Sequence, residues 1–445
     1  MNNPDLIQKS TKNPHYIKIG EHEGALIGSG EHYGGLMNLD FDFEAYFQTL
    51  ESDGLNLTRL FSGAYRELPT SFGIQQNTMA PKPERFICPW KRVSTDPEQY
   101  DLTEWNPEYF KRLHAFMESA RNHGVIVEYV FFCFWYSDAL WEYSPMNIRN
   151  NTNGIGDCPK EKVYSLDQKD LLHVQEKLVR KVIEELNEYG NLYYEIANEL
   201  YSFHNHTACL EWQYHLADLI AAEEKNQTNQ HLIAVNIQNK HMRIEKPHPT
   251  VSIYNYHYAR PAAIAENYHL DLIIGDDETG FRGQSCEPYR KEAWLFMLSG
   301  GGIFSHLDYS FTLDHPDGVA PINGETPGFG GPEWRRQLKI LKDFLRELDL
   351  VNMRPHNEVV LFELPPTIEY AVLADPGKCY ALYFCGGGYK VHFALGLPAG
   401  KYYACWVNPI TSCCMREEEI DHPGGPHRMI SPFYSTDFAL KIEAR

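Results

Sequence analysis

Between residue 24 and about residue 350, short apolar runs alternate with longer segments whose apolar residues recur at the helical period. "GALIGSG" (24–30) predicts a first strand, and "FEAYFQTLESDG" (43–54) a helix closed by glycine. "LNLTRLF" (55–61) predicts the second strand, followed by a long loop rich in proline and aromatic residues to about residue 105. "NPEYFKRLHAFMESARNHG" (106–124) has proline in its first turn and glycine past its end, the asymmetry of a helix. Further strands are expected at 125–134, 191–198, 231–238, 251–258, 270–278 and 301–311. Helices are expected near 170–190, 209–225, 287–299 and 333–348. The strand runs are apolar on both faces, which requires a sheet covered on both sides and therefore parallel strands. Eight such units fit a (β/α)8 TIM barrel with elaborated loops. A doubly wound open sheet is the alternative, but its Gly-x-Gly-x-x-Gly turn is missing after the first strand, where "GSGEHYGG" has another spacing.

The pattern changes after about residue 352. "NEVVLFELP", "IEYAVLAD", "KCYALYFC", "KVHFAL", "GKYYACWVNP" and "FALKIEA" are short, alternate in polarity and are separated by Pro and Gly turns. They predict a small antiparallel β-sandwich. The organisation read from the sequence is thus an α/β class chain. A barrel with a short N-terminal extension spans 1–352, and a β-sandwich domain spans 353–445.

Composition narrows the function. The 445 residues carry a formal charge of −20, which repels phosphate backbones and anionic membranes, so neither nucleic acid nor a membrane is an expected partner. No apolar run is long enough to span a bilayer. "MNNPDLIQKSTKNPHYIKIG" shows no secretory h-region, so a cytoplasmic location is expected, or an exported one if a leader has been trimmed. The ten cysteines are scattered without a Cys-x-x-Cys pair and read as reduced thiols. "SFHNHT" and "LDHPDG" match no metal-ligand spacing, so neither metal nor cofactor is expected. The sequence sets no oligomeric state.

The candidate chemistry lies at two strand ends. "NLYYEIANEL" (191–200) is an apolar strand that finishes on Asn198 and Glu199, and "IIGDDETGF" finishes on Asp276, Asp277 and Glu278. In a barrel the strand C-termini carry the active face. Two carboxyl groups held there can flank a glycosidic bond, one protonating the leaving oxygen and the other attacking the anomeric carbon. Burial is expected to raise the pKa of the first, and a cation such as Arg59, at the end of "NLTRL" on the second strand, to keep the second ionised.

The layout resembles glycoside hydrolase clan A, the retaining (β/α)8 glycosidases that include the family 5 cellulase and mannanase group. The resemblance rests on "ANE" (Asn198, Glu199), "DETG" (Glu278), "TRLF" (Arg59) and "NYHY" (His257, Tyr258), in order on strands four, seven, two and six. It implies Glu199 as acid/base, Glu278 as nucleophile, and Asn198 as the partner of the sugar 2-hydroxyl. Asp276 and Asp277 are rivals for the nucleophile. Arg59, His257 and Tyr258 would position substrate or nucleophile. His32 and Tyr33 of "GEHYGG", Trp135 of "FWYSDALW", and Tyr201 would line sugar subsites, because aromatic planes suit the apolar C–H faces of sugars. His306 and Asp308 on the last strand are further candidates. The sandwich resembles the module appended to some barrel glycosidases, with "WVNPITS" close to the ending of those modules. The expected function is retaining hydrolysis of an oligosaccharide or glycoside. The alternatives are a catalytically inactive glycan-binding barrel and a metal-assisted barrel hydrolase.

Overall fold

The computed structural model describes residues 6–445 apart from 75–76, 204, 325 and 362–363. Eight parallel strands form one sheet: β1 (Leu26–Ile27), β2 (Leu57–Phe61), β3 (Ile126–Cys133), β4 (Leu192–Asn198), β5 (Ile233–Asn239), β6 (Ile253–His257), β7 (Ile273–Glu278) and β8 (Ile303–Phe304). They are hydrogen-bonded in the order β1-β8-β7-β6-β5-β4-β3-β2. A parallel bridge from Gly28 to Leu57 brings the two ends together, so the sheet is a TIM-like barrel. Helices follow seven of the strands; among the described residues, 240–252 joins β5 to β6 without one.

The helices form where the sequence places an apolar stripe. Lys169–Leu186 buries Leu171, Val174, Leu178, Val182 and Ile183, the spacing of one helical face. Asp42 caps Phe43–Ser52 by accepting the Glu44 and Ala45 N–H groups at 3.1 Å each, a contact worth about 1 kcal/mol.

The barrel interior is layered. At its lower end Leu57, Ile126, Tyr193, Ile253, Ile273 and Ile303 meet as an apolar cluster. Ile7 and Ile17, from a three-stranded N-terminal sheet (Ile7–Lys9, Ile17–Ile19, His22–Gly24), close it from below. Side chains two residues further along a strand return to the same face. Two residues above Leu57, Ile126, Tyr193 and Ile253 stand Arg59, Glu128, Glu195 and Asn255, all buried. Arg59 therefore lies in the middle of its strand, inside the barrel, and not at the strand end.

The C-terminal region holds a six-stranded antiparallel sheet in the order Arg354–Pro355, Ile368–Asp375, Cys379–Gly386, Asp437–Ala444, Gly400–Val407, Cys414–His422. A two-stranded sheet of His392–Leu397 and Gly425–Ile430 faces it, with Phe384, Phe393, Trp406 and Phe438 between them. The other face of the large sheet packs on the barrel helix Cys286–Leu298, where Tyr383 stacks on Trp294 at 5.3 Å. Arg290 of that helix pairs with Asp437 at 2.7 Å, and Tyr383 Oη donates to the same carboxylate at 2.6 Å.

Several expectations need correction. "NEVVLFELP" is not a strand: Asn357–Val359 is a 3-10 turn, Val360 makes one bridge to Leu395, and 362–363 lie outside the described residues. The long loop before residue 105 contains a hairpin, Trp90–Thr95 with Glu98–Trp105. The charged edge strand Cys414–His422 gave no apolar alternation to read.

Candidate active site

Backbone geometry at the strand ends aims the candidate side chains. Glu199, just past β4, has φ 59°, a left-handed conformation unusual for glutamate. Its N–H donates to Asn236 Oδ1 at 2.9 Å, which ties the turn to β5. Tyr258, just past β6, has φ 52°. Between β6 and β7 the register slips: Tyr256 pairs with Asp276 and His257 with Glu278, leaving Asp277 as an extra residue. Such a bulge re-aims neighbouring side chains. Asp276 turns outward, where its Oδ1 accepts the Ala259 N–H at 3.1 Å, while Asp277 and Glu278 both reach Arg59.

The loop after β1 supplies a further group. Glu31 accepts the N–H groups of Gly34 and Gly35 at 2.8 Å each and folds the turn around Tyr33. A Cβ on Gly34 would lie 2.3 Å from the Met79 carbonyl oxygen, so this close approach needs glycine. Tyr33 Oη then donates to Glu278 Oε2 at 2.5 Å.

Glu199, His257 and Glu278 converge, with one side-chain oxygen or nitrogen from each lying within 4.8 Å of the others. Strands β5 and β6 lie between β4 and β7 in the sheet, and His257 of β6 spans the gap. Its Nδ1 is 2.7 Å from Glu199 Oε1 and 3.5 Å from Glu278 Oε1. Arg59 Nη1 donates to Glu278 Oε2 at 2.7 Å, and Arg59 Nη2 to Asn198 Oδ1 at 2.7 Å. Arg59 and Tyr33 thus hold one oxygen of Glu278 and leave Oε1 to face His257 and Glu199. Glu199 is held on the other side: Tyr136 Oη donates to Oε2 at 2.6 Å. The Tyr201 hydroxyl lies 2.8 Å from Oε1 and 2.6 Å from Asn239 Oδ1.

The electrostatics overturn one expectation. Burial pushes the Glu199 carboxyl up, but its contacts with His257, Tyr136 and Tyr201 outweigh it and hold it down to about 2. In this resting arrangement Glu199 is a carboxylate, not the raised acid expected from burial alone. Below the pair, burial and neighbouring carboxylates push Glu128 and Asp277 well above the usual carboxyl range.

Other candidates fall in mixed places. His32 is buried, stacks on Tyr33 at 4.4 Å and Tyr309 at 4.9 Å, and its Nδ1 lies 3.1 Å from Glu67 Oε2. Burial lowers its pKa, and Glu67, with Glu278 and Glu31, more than reverses that. Tyr258 stands beside the site, its ring 6.3 Å from that of His257, and also lines a separate cavity with Lys240, Arg260, Arg282 and Glu292. Trp135 is a correction: it is wholly buried against Tyr65 and Trp141 and offers no face to a sugar. Its neighbour Tyr136 does reach the site. Asp308 is structural, paired with Arg335 at 2.7 Å, and burial lowers His306 to about 4. His204 of "SFHNHT" lies outside the described residues, and His315 of "LDHPDG" joins no ligand cluster among them. The residues sequence reading missed are Tyr136 as a donor, Asn236, and the buried acids Glu128 and Glu195. A lone acid inside an apolar strand was the available signal for the last two.

Among the described residues, three groups could share an ion: Glu199–His257–Glu278, Glu128–Glu195–Asp277 and Cys405–Cys414–Glu417. Each of the first two sets already contacts Arg59. Among the described residues no helix is long and apolar enough to cross a membrane.

No protein-family model matches the chain, and no curated protein matches it. Solved structures do. A Bacteroides vulgatus protein assigned as a glycoside hydrolase superposes with a TM-score of 0.68 at 11% identity, over 100% of this chain and 83% of that one. A family 5 glycoside hydrolase from Bacteroides vulgatus gives 0.65 at 12% identity, over 99% and 92%. Another structure, described as a glycoside hydrolase, gives 0.66 at 12% identity over 100% and 99%. Barrel and appended sheets together, the chain has the fold of these glycoside hydrolases.

Proposed function

We propose that this protein is a retaining glycoside hydrolase that acts on an oligosaccharide or glycoside by double displacement. The observation that carries the reading is the approach of Glu199 and Glu278, with a side-chain oxygen of each within 4.8 Å. Retaining enzymes hold their carboxyl groups about 5–5.5 Å apart, whereas inverting enzymes leave roughly 6.5–9.5 Å for a water.

The roles follow from the contacts. Glu278 attacks the anomeric carbon through Oε1, while Arg59 and Tyr33 fix Oε2. Glu199 protonates the departing oxygen and then, as a base, activates the water that releases the sugar. Asn198, oriented by Arg59, faces the substrate 2-hydroxyl. Tyr201 and Tyr258, whose rings both lie edge-on to His257, border the bound sugar in this scheme. Asp276 and Asp277 are not nucleophiles in this scheme, because one faces a helix and the other the barrel floor. The chemistry needs no cofactor.

A panel of aryl glycosides tests the proposal. Wild type should hydrolyse at least one with retained configuration. Glu278→Ala should lose at least about 10⁴-fold in kcat, and azide should restore turnover to give a glycosyl azide of inverted configuration. Glu199→Ala should keep most activity only on substrates with good leaving groups. Wild-type binding of glycans without hydrolysis of any of them would instead support an inactive glycan-binding barrel.

A further inference from the structure

Below the catalytic pair lies a group of acids that the double displacement does not use. Four carboxyl groups surround one guanidinium: Glu128 at 3.3 Å, Glu195 at 2.8 Å, Asp277 at 3.2 Å and Glu278 at 2.7 Å from nitrogens of Arg59. All five side chains are buried. Were every carboxyl ionised, three negative charges would stand uncompensated in a dry core. That is costly enough that protons bind instead. Glu195 is a side-chain hydrogen-bond partner of both Glu128 and Asp277, so such protons can be shared, and Asn255 Nδ2 donates to Glu128 at 2.8 Å and Glu195 at 2.6 Å.

This store touches the catalytic site at one point. His257 Nδ1 is on Glu199 Oε1 at 2.7 Å, and its other nitrogen, Nε2, is 3.5 Å from Asp277 Oδ1. Neither His257 Nε2 nor Asp277 Oδ1 has a hydrogen-bond partner among the described residues. Two buried polar atoms left facing each other need an explanation. Contacts of this kind shorten when substrate closes a site.

We propose that Asp277 is a positioning residue that lends Glu199, through His257, the proton it uses as general acid. This rests on the glycosidase reading above. With His257 carrying its ring proton on Nδ1, the Asp277 O–H proton passes to Nε2 as the Nδ1 proton passes to the Glu199 carboxylate. One O–H and one N–H bond break, one of each forms, and no electron changes hands. The negative charge moves from Glu199 to Asp277, where Arg59 Nη2 receives it at 3.2 Å. Glu199, a carboxylate in the empty site, becomes the acid that cleavage requires. The proton later taken from water restores the store. Among the described residues, the charged and titratable groups facing the relay include Arg59 of β2, Glu128 of β3, Tyr136 after β3, Tyr193 and Glu195 of β4, Glu199 and Tyr201 after β4, Tyr258 after β6 and Glu278 of β7.

The test compares leaving groups in Asp277→Asn. Relative to wild type, kcat/KM should fall at least about tenfold more on alkyl glycosides than on 2,4-dinitrophenyl glycosides, since only the former need a general acid. The basic limb of its pH profile should move to lower pH. Equal losses on both substrates with an unmoved limb would show that Asp277 merely fills space. On wild type alone, the proton inventory in mixed light and heavy water should be curved for alkyl glycosides, because two protons move. A linear inventory would overturn the relay even if the variant does not fold. Should wild type hydrolyse neither substrate, the infrared difference spectrum of wild type minus Asp277→Asn at neutral pH decides: a carboxylic-acid C=O band in the difference supports a protonated Asp277, and a carboxylate band there instead overturns it. In that case the glycosidase reading fails on its own account.

Discussion

The barrel interior changes character within two residues of rise. At Leu57, Ile126, Tyr193 and Ile253 it is an apolar plug sealed by Ile7 and Ile17. At Arg59, Glu128, Glu195 and Asn255 it is a buried network of ion pairs and hydrogen bonds. The same strands build both layers, so strand formation does not distinguish them. The lower layer stabilises by burial, with about 1.5–3 kcal/mol for each large apolar side chain removed from water. The upper layer contributes little net stability, because the desolvation of buried ions offsets their attraction. Its use is to hold Glu278, Asn198 and Glu199 in fixed mutual positions. The comparison teaches that in this barrel stability and chemistry are separated by height.

Substitutions can break that division. The largest effect is expected from Arg59→Met, which strands the facing carboxylates. It should cost about 3–5 kcal/mol in denaturant unfolding and abolish hydrolysis; a melt like that of wild type would refute the account of the upper layer. Ile253→Ala, two residues below Asn255, should cost about 2–5 kcal/mol and leave kcat unchanged at a temperature where the variant is folded. A fall in kcat there would mean that the two layers are mechanically coupled. The smallest effect belongs to Tyr33→Phe. It removes one hydrogen bond to Glu278, worth about 0.5–3 kcal/mol, and should lower kcat/KM by a comparable amount while the variant still folds.

Much of this was legible in the amino acids. The eight strands were visible because parallel strands covered on both faces are continuous apolar runs, and Asn198, Glu199 and Glu278 stood out as polar ends on such runs. Glu128 and Glu195 were not legible, although each is an acid inside an apolar strand. Their meaning depends on register: only the alignment of β2, β3 and β4 brings them to Arg59. Tyr33 and Tyr136 were seen as loop aromatics, but their service as hydroxyl donors depends on loop paths that no periodicity encodes. The hairpin at 90–105 escaped because its strands, "WKRVST" and "EQYDLTEW", are mostly polar. The state of Glu199 escaped for a related reason. Burial is readable from an apolar strand, but the three donors that oppose it come from β6 and from the loops after β3 and β4.

The contact between barrel and sandwich has a practical corollary. Arg290 grips Asp437 through both Nε and Nη2, at 2.7 and 2.9 Å, with Trp294 laid flat on Tyr383 beside it. A chain cut after residue 352 would lay Trp294 open to water and leave Arg290 without its counter-ion. The last ninety-odd residues are therefore no detachable cassette. Anyone wishing to graft them onto another barrel must carry the helix Cys286–Leu298 along with them.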